Sequence, residues 1–127
     1  MDESVELRTA FIEQLGDNII CIRYKEGFVI EDMDAKEIDD MQHVMSGGKD
    51  MLLMVDIFGV KNQVSKSAKE FFTKKGKMLP FTKGVAIIQK DVQTNLSTGF
   101  FSNWFKPLYP TKIFETRKEA IKWLKGL

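Results

Sequence analysis

The 127 residues include one cysteine, one histidine and three prolines. A single cysteine, Cys21, excludes an internal disulfide, and its apolar surroundings read as those of a buried, inert thiol. The single histidine, His43, has no second histidine or nearby cysteine beside it and gives no metal-site signal; it reads as a surface or half-buried side chain. No apolar run approaches the ~20 residues of a membrane-spanning helix. The acidic opening Met1-Asp2-Glu3-Ser4 lacks the basic region of a secretory signal. These absences make a cytoplasmic protein the expectation. Gly-x-Gly-x-x-Gly, Walker A and Gly-x-Ser-x-Gly patterns are missing, and Cys21 and His43 stand far apart. No catalytic set, cofactor or metal is expected, and the chain does not read as an enzyme.

An excess of one charge is lacking too. The formal net charge is +1, which argues against a general nucleic-acid binder. The distribution is uneven: residues 1–50 carry thirteen acids and five bases, and residues 51–127 carry five acids and fourteen bases. Two solvated faces that partly neutralise each other in the fold explain this. An acidic partner, an anionic membrane surface or self-association would also fit.

What is present is an α/β pattern, of a length that suits one domain over 1–127. Leu7 to Leu15 and Asn18 to Lys25 read as strands joined at Gly16-Asp17-Asn18, an N-terminal hairpin. The second strand places Ile20, Ile22 and Tyr24 on one face and Ile19, Cys21 and Arg23 on the other. Phe28-Val29-Ile30 is a brief extended piece. A helix follows, capped at Asp34 with Glu37 as its box partner and stopped at Gly47. Ala35, Ile38, Met41 and Met45 form its apolar stripe, and Asp39 and Asp40 make its outer face acidic. Acid clusters such as Asp32/Asp34 read as a solvated surface.

The apolar run Met51 to Ile57 predicts a strand buried on both faces, around which the rest is organised. Asp56, near its end, is the best-placed carboxylate, expected to cap the following loop. A basic helix follows, capped by Ser65 or Ser67, with Ala68, Phe71 and Phe72 inward and Gly76 as its end. Val85-Ala86-Ile87-Ile88 is another strand. A third helix is expected over about Val92 to Lys106. Its stripe Val92, Leu96, Phe100 and Trp104 widens through Phe101 and Phe105 to an apolar arc of roughly 220°, more than a one-sided helix shows. The turn Lys106-Pro107-Leu108-Tyr109-Pro110 ends it. Thr111 to Phe114 is a last strand, and Thr116 with Glu119 caps a terminal helix whose apolar face is Ala120, Ile121, Trp123 and Leu124. Right-handed crossovers then give one mixed, mostly parallel sheet with about four helices.

This order resembles the STAS fold of anti-sigma-factor antagonists. It is most similar to a group of small STAS-like bacterial proteins, many from Bacteroidetes. Three segments carry the resemblance: Val55-Asp56-Ile57-Phe58-Gly59-Val60-Lys61, Gly99-Phe100-Phe101 before a proline-containing turn, and Pro110 to Leu124. It implies a STAS-like domain over nearly the whole chain. STAS antagonists carry Asp-Ser-Ser-Gly at the start of the helix after the buried strand, and a kinase phosphorylates the second serine. Ungapped carry-over puts Val64, Ser65, Lys66 and Ser67 at those positions, so the acceptor is replaced by lysine and phosphorylation at Ser65 or Ser67 is not expected.

Two functional expectations follow. In the first, the domain is a non-enzymatic interaction module that binds a protein partner through the loop and helix carrying Phe58, Gly59, Lys61, Ser65, Lys66, Ser67 and Lys69. In the second, it is a peripheral binder of anionic lipid at the inner membrane. Lys66, Lys69, Lys74, Lys75 and Lys77 would act there with the aromatics of the third helix. The wide arc also leads to the expectation of a homodimer with Phe101, Trp104 and Phe105 in its interface.

Overall fold

The computed structural model describes residues 4–57, 63–89 and 105–127. Eight strands and three helices lie among them: β1 (Ser4–Glu6), β2 (Ala10–Leu15), β3 (Ile19–Tyr24), β4 (Val29–Ile30), α1 (Asp32–Ser46), β5 (Met51–Asp56), β6 (Gln63–Val64), α2 (Lys66–Glu70), β7 (Thr82–Ile88), β8 (Thr111–Phe114) and α3 (Arg117–Lys125). A π-helical segment, Phe71–Lys75, continues α2. Six strands form one sheet in the order β1-β2-β3-β5-β7-β8. The pairs β1/β2 and β2/β3 are antiparallel; β3/β5, β5/β7 and β7/β8 are parallel. The expected two-stranded hairpin is thus a three-stranded meander. Its first expected strand begins at Ala10, and Ser4–Glu6 form the separate strand β1.

The sheet divides the core in two, and strand alternation assigns each side chain to a layer. Ile20, Ile22, Leu53, Val55, Val85 and Ile87 pack with Ala35 and Ile38 of α1 and Ala68 of α2. Ile19, Cys21, Leu52, Met54, Ala86 and Ile88 pack with Ala120 and Leu124 of α3. All six residues of β5 are buried, as an apolar run of that length requires of a central parallel strand.

The two ends of α1 illustrate what local signals can and cannot settle. Gly47 ends the helix at φ 62°, a left-handed conformation that glycine adopts without steric cost. The start departs from the expectation. Glu31 is the N-cap and Asp34 the third helical residue, and Asp34 Oδ2 accepts from the Glu31 N–H at 2.9 Å. The reason lies 26 residues upstream: Arg8 grips the Asp34 carboxylate in a fork, Nε to Oδ1 at 2.9 Å and Nη2 to Oδ2 at 2.5 Å. Arg8 also donates to the Val29 carbonyl at 3.1 Å and lies over the Phe28 ring. Asp34 is therefore buried, not part of a solvated acidic face.

The Arg8 hydrogen bonds hold the Asp34 carboxyl below its ordinary pKa, against the opposing effect of burial. A depressed folded-state pKa contributes stability that is complete above the ordinary carboxylate value and lost as pH falls through the folded value. Arg8→Ala is therefore expected to lower the urea midpoint at neutral pH. The gap from wild type should narrow as pH falls from about 5 to about 2. A gap that is constant across that range would contradict this account of the pair.

Asp39 also leaves the expected acidic surface. It is buried, and its two oxygens accept from the backbone N–H groups of Lys77 at 2.8 Å and Met78 at 3.1 Å. Its neighbour Asp40 does reach solvent and takes Lys77 Nζ at 2.9 Å. The acidic helix and the basic segment thus lie side by side on one face of the sheet and partly neutralise each other.

A second, two-stranded sheet pairs β4 with β6 in parallel, Val29 with Gln63 and Ile30 with Val64. At two residues each, these strands are too short for alternation to reveal. The third expected helix, 92–106, falls outside the described residues except at its end. There Phe105 is helical and is followed by a turn.

Candidate functional site

The short β4/β6 sheet fixes where the basic helix starts. The Ser65 N–H donates to the Ile30 carbonyl at 2.9 Å, which carries the ladder one residue past β6. Ser65 then caps α2: its Oγ accepts from the Ala68 N–H at 3.1 Å and lies 3.1 Å from Ser67 Oγ. This decides between the two candidate caps. Ala68 is buried beneath the helix, while Lys66, Ser67 and Lys69 are exposed. After Glu70 the winding loosens into the π-helical segment. Thr73 Oγ1 donates to the Lys69 carbonyl at 2.8 Å, the acceptor that an α-helical Thr73 N–H would have used. The wider turn lets both Phe71 and Phe72 pack against the core. Lys74 and Lys75 stay exposed, with Lys75 Nζ 3.6 Å from Glu70.

Of the expected partner-binding residues, the structure brings Ser65, Lys66, Ser67 and Lys69 onto one helical turn. Phe58, Gly59 and Lys61 lie outside the described residues. So do Phe101 and Trp104 of the expected oligomer or lipid face. Phe105 is described and is only 6% exposed. Its ring packs in the core shared by α1 and α2 and lies 6.3 Å from that of Tyr109, centroid to centroid. This corrects its assignment to an outward face: the turn after it folds back, and Tyr109 covers the ring.

A polar cluster that sequence reading missed sits near the start of α3. Arg117 reaches across the sheet to Asp56 (Nε to Oδ2, 3.4 Å), Glu13 (Nη1 to Oε1, 3.3 Å) and Cys21 (Nη2 to Sγ, 3.4 Å). Asp56 is buried, and the β3/β5 register places it beside Arg23. Burial opposes the Arg117 charge, but the carboxylates of Asp56 and Glu13 help to raise its pKa. Burial pushes the Cys21 thiol up to about 12, so it stays protonated and unreactive near neutral pH. The cluster has the character of an ion pair tying α3 to the strands, not of an activated nucleophile. Only the spacing of Asp56 near the end of a buried strand could have signalled it.

Among the described residues no group of three or more acids, histidines or cysteines could hold a metal ion. A cleft between α1 and the sheet, lined by Tyr24, Gln42, Phe72, Phe105 and Tyr109 among others, has a volume of about 30 Å³. That admits a water or two, against the ~300–1,000 Å³ of a typical small-molecule site.

A model of the family described as a domain of unknown function, DUF7793, matches residues 12–127. The chain belongs to the DUF7793 family. No curated protein matches it. Among solved structures it is similar to an uncharacterized protein of the DUF3478 family, with a SpoIIAA-like fold, from Shewanella loihica PV-4. The TM-score is 0.65 at 23% identity, over 96% of this chain and 98% of that one. The likeness shows the fold of this DUF7793 domain to be SpoIIAA-like, that is, STAS-like. No described helix is long and apolar enough to cross a membrane.

Proposed function

We propose that this DUF7793 domain is a non-enzymatic interaction module of the STAS-like type, acting in the cytoplasm. Its protein partner binds at the segment 58–67 and the outer face of α2. One observation carries this reading: Lys66, Ser67 and Lys69 are exposed on a turn that Ser65 caps and the β4/β6 ladder anchors. Open α/β sheets commonly bind ligands outside the carboxyl ends of their parallel strands, and the start of this helix follows the buried strand β5 on that side. The inert thiol of Cys21 fits a binding role. Lysine at the phosphoacceptor position, with the Ser65 hydroxyl engaged in capping, fits a partner that does not depend on phosphate.

The test is a photo-crosslinker placed at Ser67 in the native cell, followed by binding of the captured partner in purified form. Lys66→Glu with Lys69→Glu should weaken that binding by about tenfold or more without changing the melting temperature; each tenfold is about 1.4 kcal/mol. Unchanged binding would remove α2 from the interface. Exposure of Lys66, Lys69, Lys74 and Lys75 along one segment supports a second reading, attachment to anionic lipid. In that case co-sedimentation with acidic vesicles should fall steeply with salt and with the same charge reversals, and insensitivity to lipid charge would dismiss it.

A further inference from the structure

The outer face of α1 carries the two most exposed large apolar side chains of the described residues, Met33 at 78% and Val44 at 72%. They lie eleven residues apart, three turns or ~16 Å along the helix, and so on the same face. Between them run Lys36, Glu37, Asp40 and Met41, and the six line one shallow groove. From the geometry of this stripe we propose that α1 pairs with α1 of a second copy of the chain, antiparallel about a two-fold axis passing between Ile38 and Asp39.

The argument is one of self-complementarity, which a two-fold contact demands. Met33 and Val44 are equidistant from that axis, so Met33 of each copy meets Val44 of the other, twice over. Lys36 lies two and a half residues before the axis and Asp40 one and a half after it. In an antiparallel pair this sets each Lys36 one residue, ~1.5 Å along the helix, from the partner's Asp40, on the same flank. Lys77 already occupies Asp40 Oδ1, but a carboxylate accepts at both oxygens. Glu37 and Met41 share the other flank, where the Glu37 stem lies against the partner's Met41. Exposed ion pairs contribute little affinity, so the apolar contacts hold the pair and the charges set its register. A parallel pairing would instead align Glu37 and Asp40 with their own copies, like charge against like. A single helix from each copy is a small interface, so the association is weak. It involves no residue of the α2 face and stands or falls separately from the partner-binding reading.

The experiment uses the full chain with Met33→Cys and Val44→Cys introduced together and singly. The native Cys21 is buried and stays silent under mild oxidation. The double variant should form a covalent dimer whose bridge maps by peptide analysis to positions 33 and 44 of different copies. Either single variant should not, because like positions lie ~16 Å apart. In sedimentation equilibrium up to about 1 mM, Met33→Asp should abolish the wild-type dimer. Lys36→Asp should weaken it several-fold, and Lys36→Asp with Asp40→Lys should restore it. Circular dichroism confirms that each variant is folded. A wild-type monomer across that range, a dimer indifferent to Met33→Asp and Val44→Asp, or bridges between like positions would each overturn the proposal.

Discussion

Asp39→Ala is expected to lose about 3 kcal/mol of folding stability. Two charge-assisted hydrogen bonds disappear, each of about 1.5–3 kcal/mol, and the buried Met78 N–H is left without its acceptor. For a domain whose whole stability is ~5–15 kcal/mol, that is a large fraction, and the melting temperature should fall by about 10 °C. The effect is specific to the contact between α1 and the turn after the π-helical segment. Both bonds bridge that gap, at 2.8 and 3.1 Å. Asp39→Asn keeps one acceptor oxygen and should recover about half the loss. Gly76→Ala probes the same point from the other side, since a Cβ there would stand 3.0 Å from Asp39 Oδ1 and press on the carboxylate. Equilibrium urea unfolding measures all three. A loss below about 1 kcal/mol for Asp39→Ala, within the spread of ordinary substitutions, would mean that water replaces the carboxylate at little cost.

Leu124→Ala should cost about 3 kcal/mol, in the middle of the range for truncating a buried leucine. Its side chain is fully buried in the layer between α3 and the sheet. If α3 detaches instead, the Arg117 contacts to Asp56, Glu13 and Cys21 go with it, and the denaturant slope should change along with the midpoint. Met33→Ala is the matched control. At 78% exposure it should stay within about 0.5 kcal/mol of wild type. Equal losses at the two positions would contradict the buried position of Leu124 and the exposed one of Met33.

Much of the candidate site was legible in part only. That a buried strand leads through a loop to a serine-capped basic helix follows from Met51–Ile57, Gly59 and the Ser65–Ser67 pair. Which serine caps was undecided, because Ser65 and Ser67 both offer a hydroxyl suited to a first-turn cap. The β4/β6 ladder settled it by fixing the chain at Ile30 and Ser65. The Arg117 cluster left almost no trace in the sequence. Its members are separated by 61, 96 and 104 residues, and nothing local distinguishes a surface arginine from one drawn across a sheet.

Where periodicity is long enough to count, the sequence by itself determined the outcome. The alternation of Ile19 to Tyr24 assigned each side chain to its layer. The apolar run of β5 implied cover on both faces, and Gly47 and Thr116 marked a helix end and a helix start. These are short-range effects: backbone sterics, capping and the two-residue repeat of a strand act within a few positions of their cause. Only the tertiary structure decided the fates of Asp34, Asp39 and Phe105. A local reading gives a carboxylate on an amphipathic helix to solvent and an aromatic at the rim of a wide apolar arc to an interface. Arg8, the Lys77–Met78 backbone and Tyr109 reverse those assignments because each supplies, from a distant or returning segment, the partner that makes burial favourable.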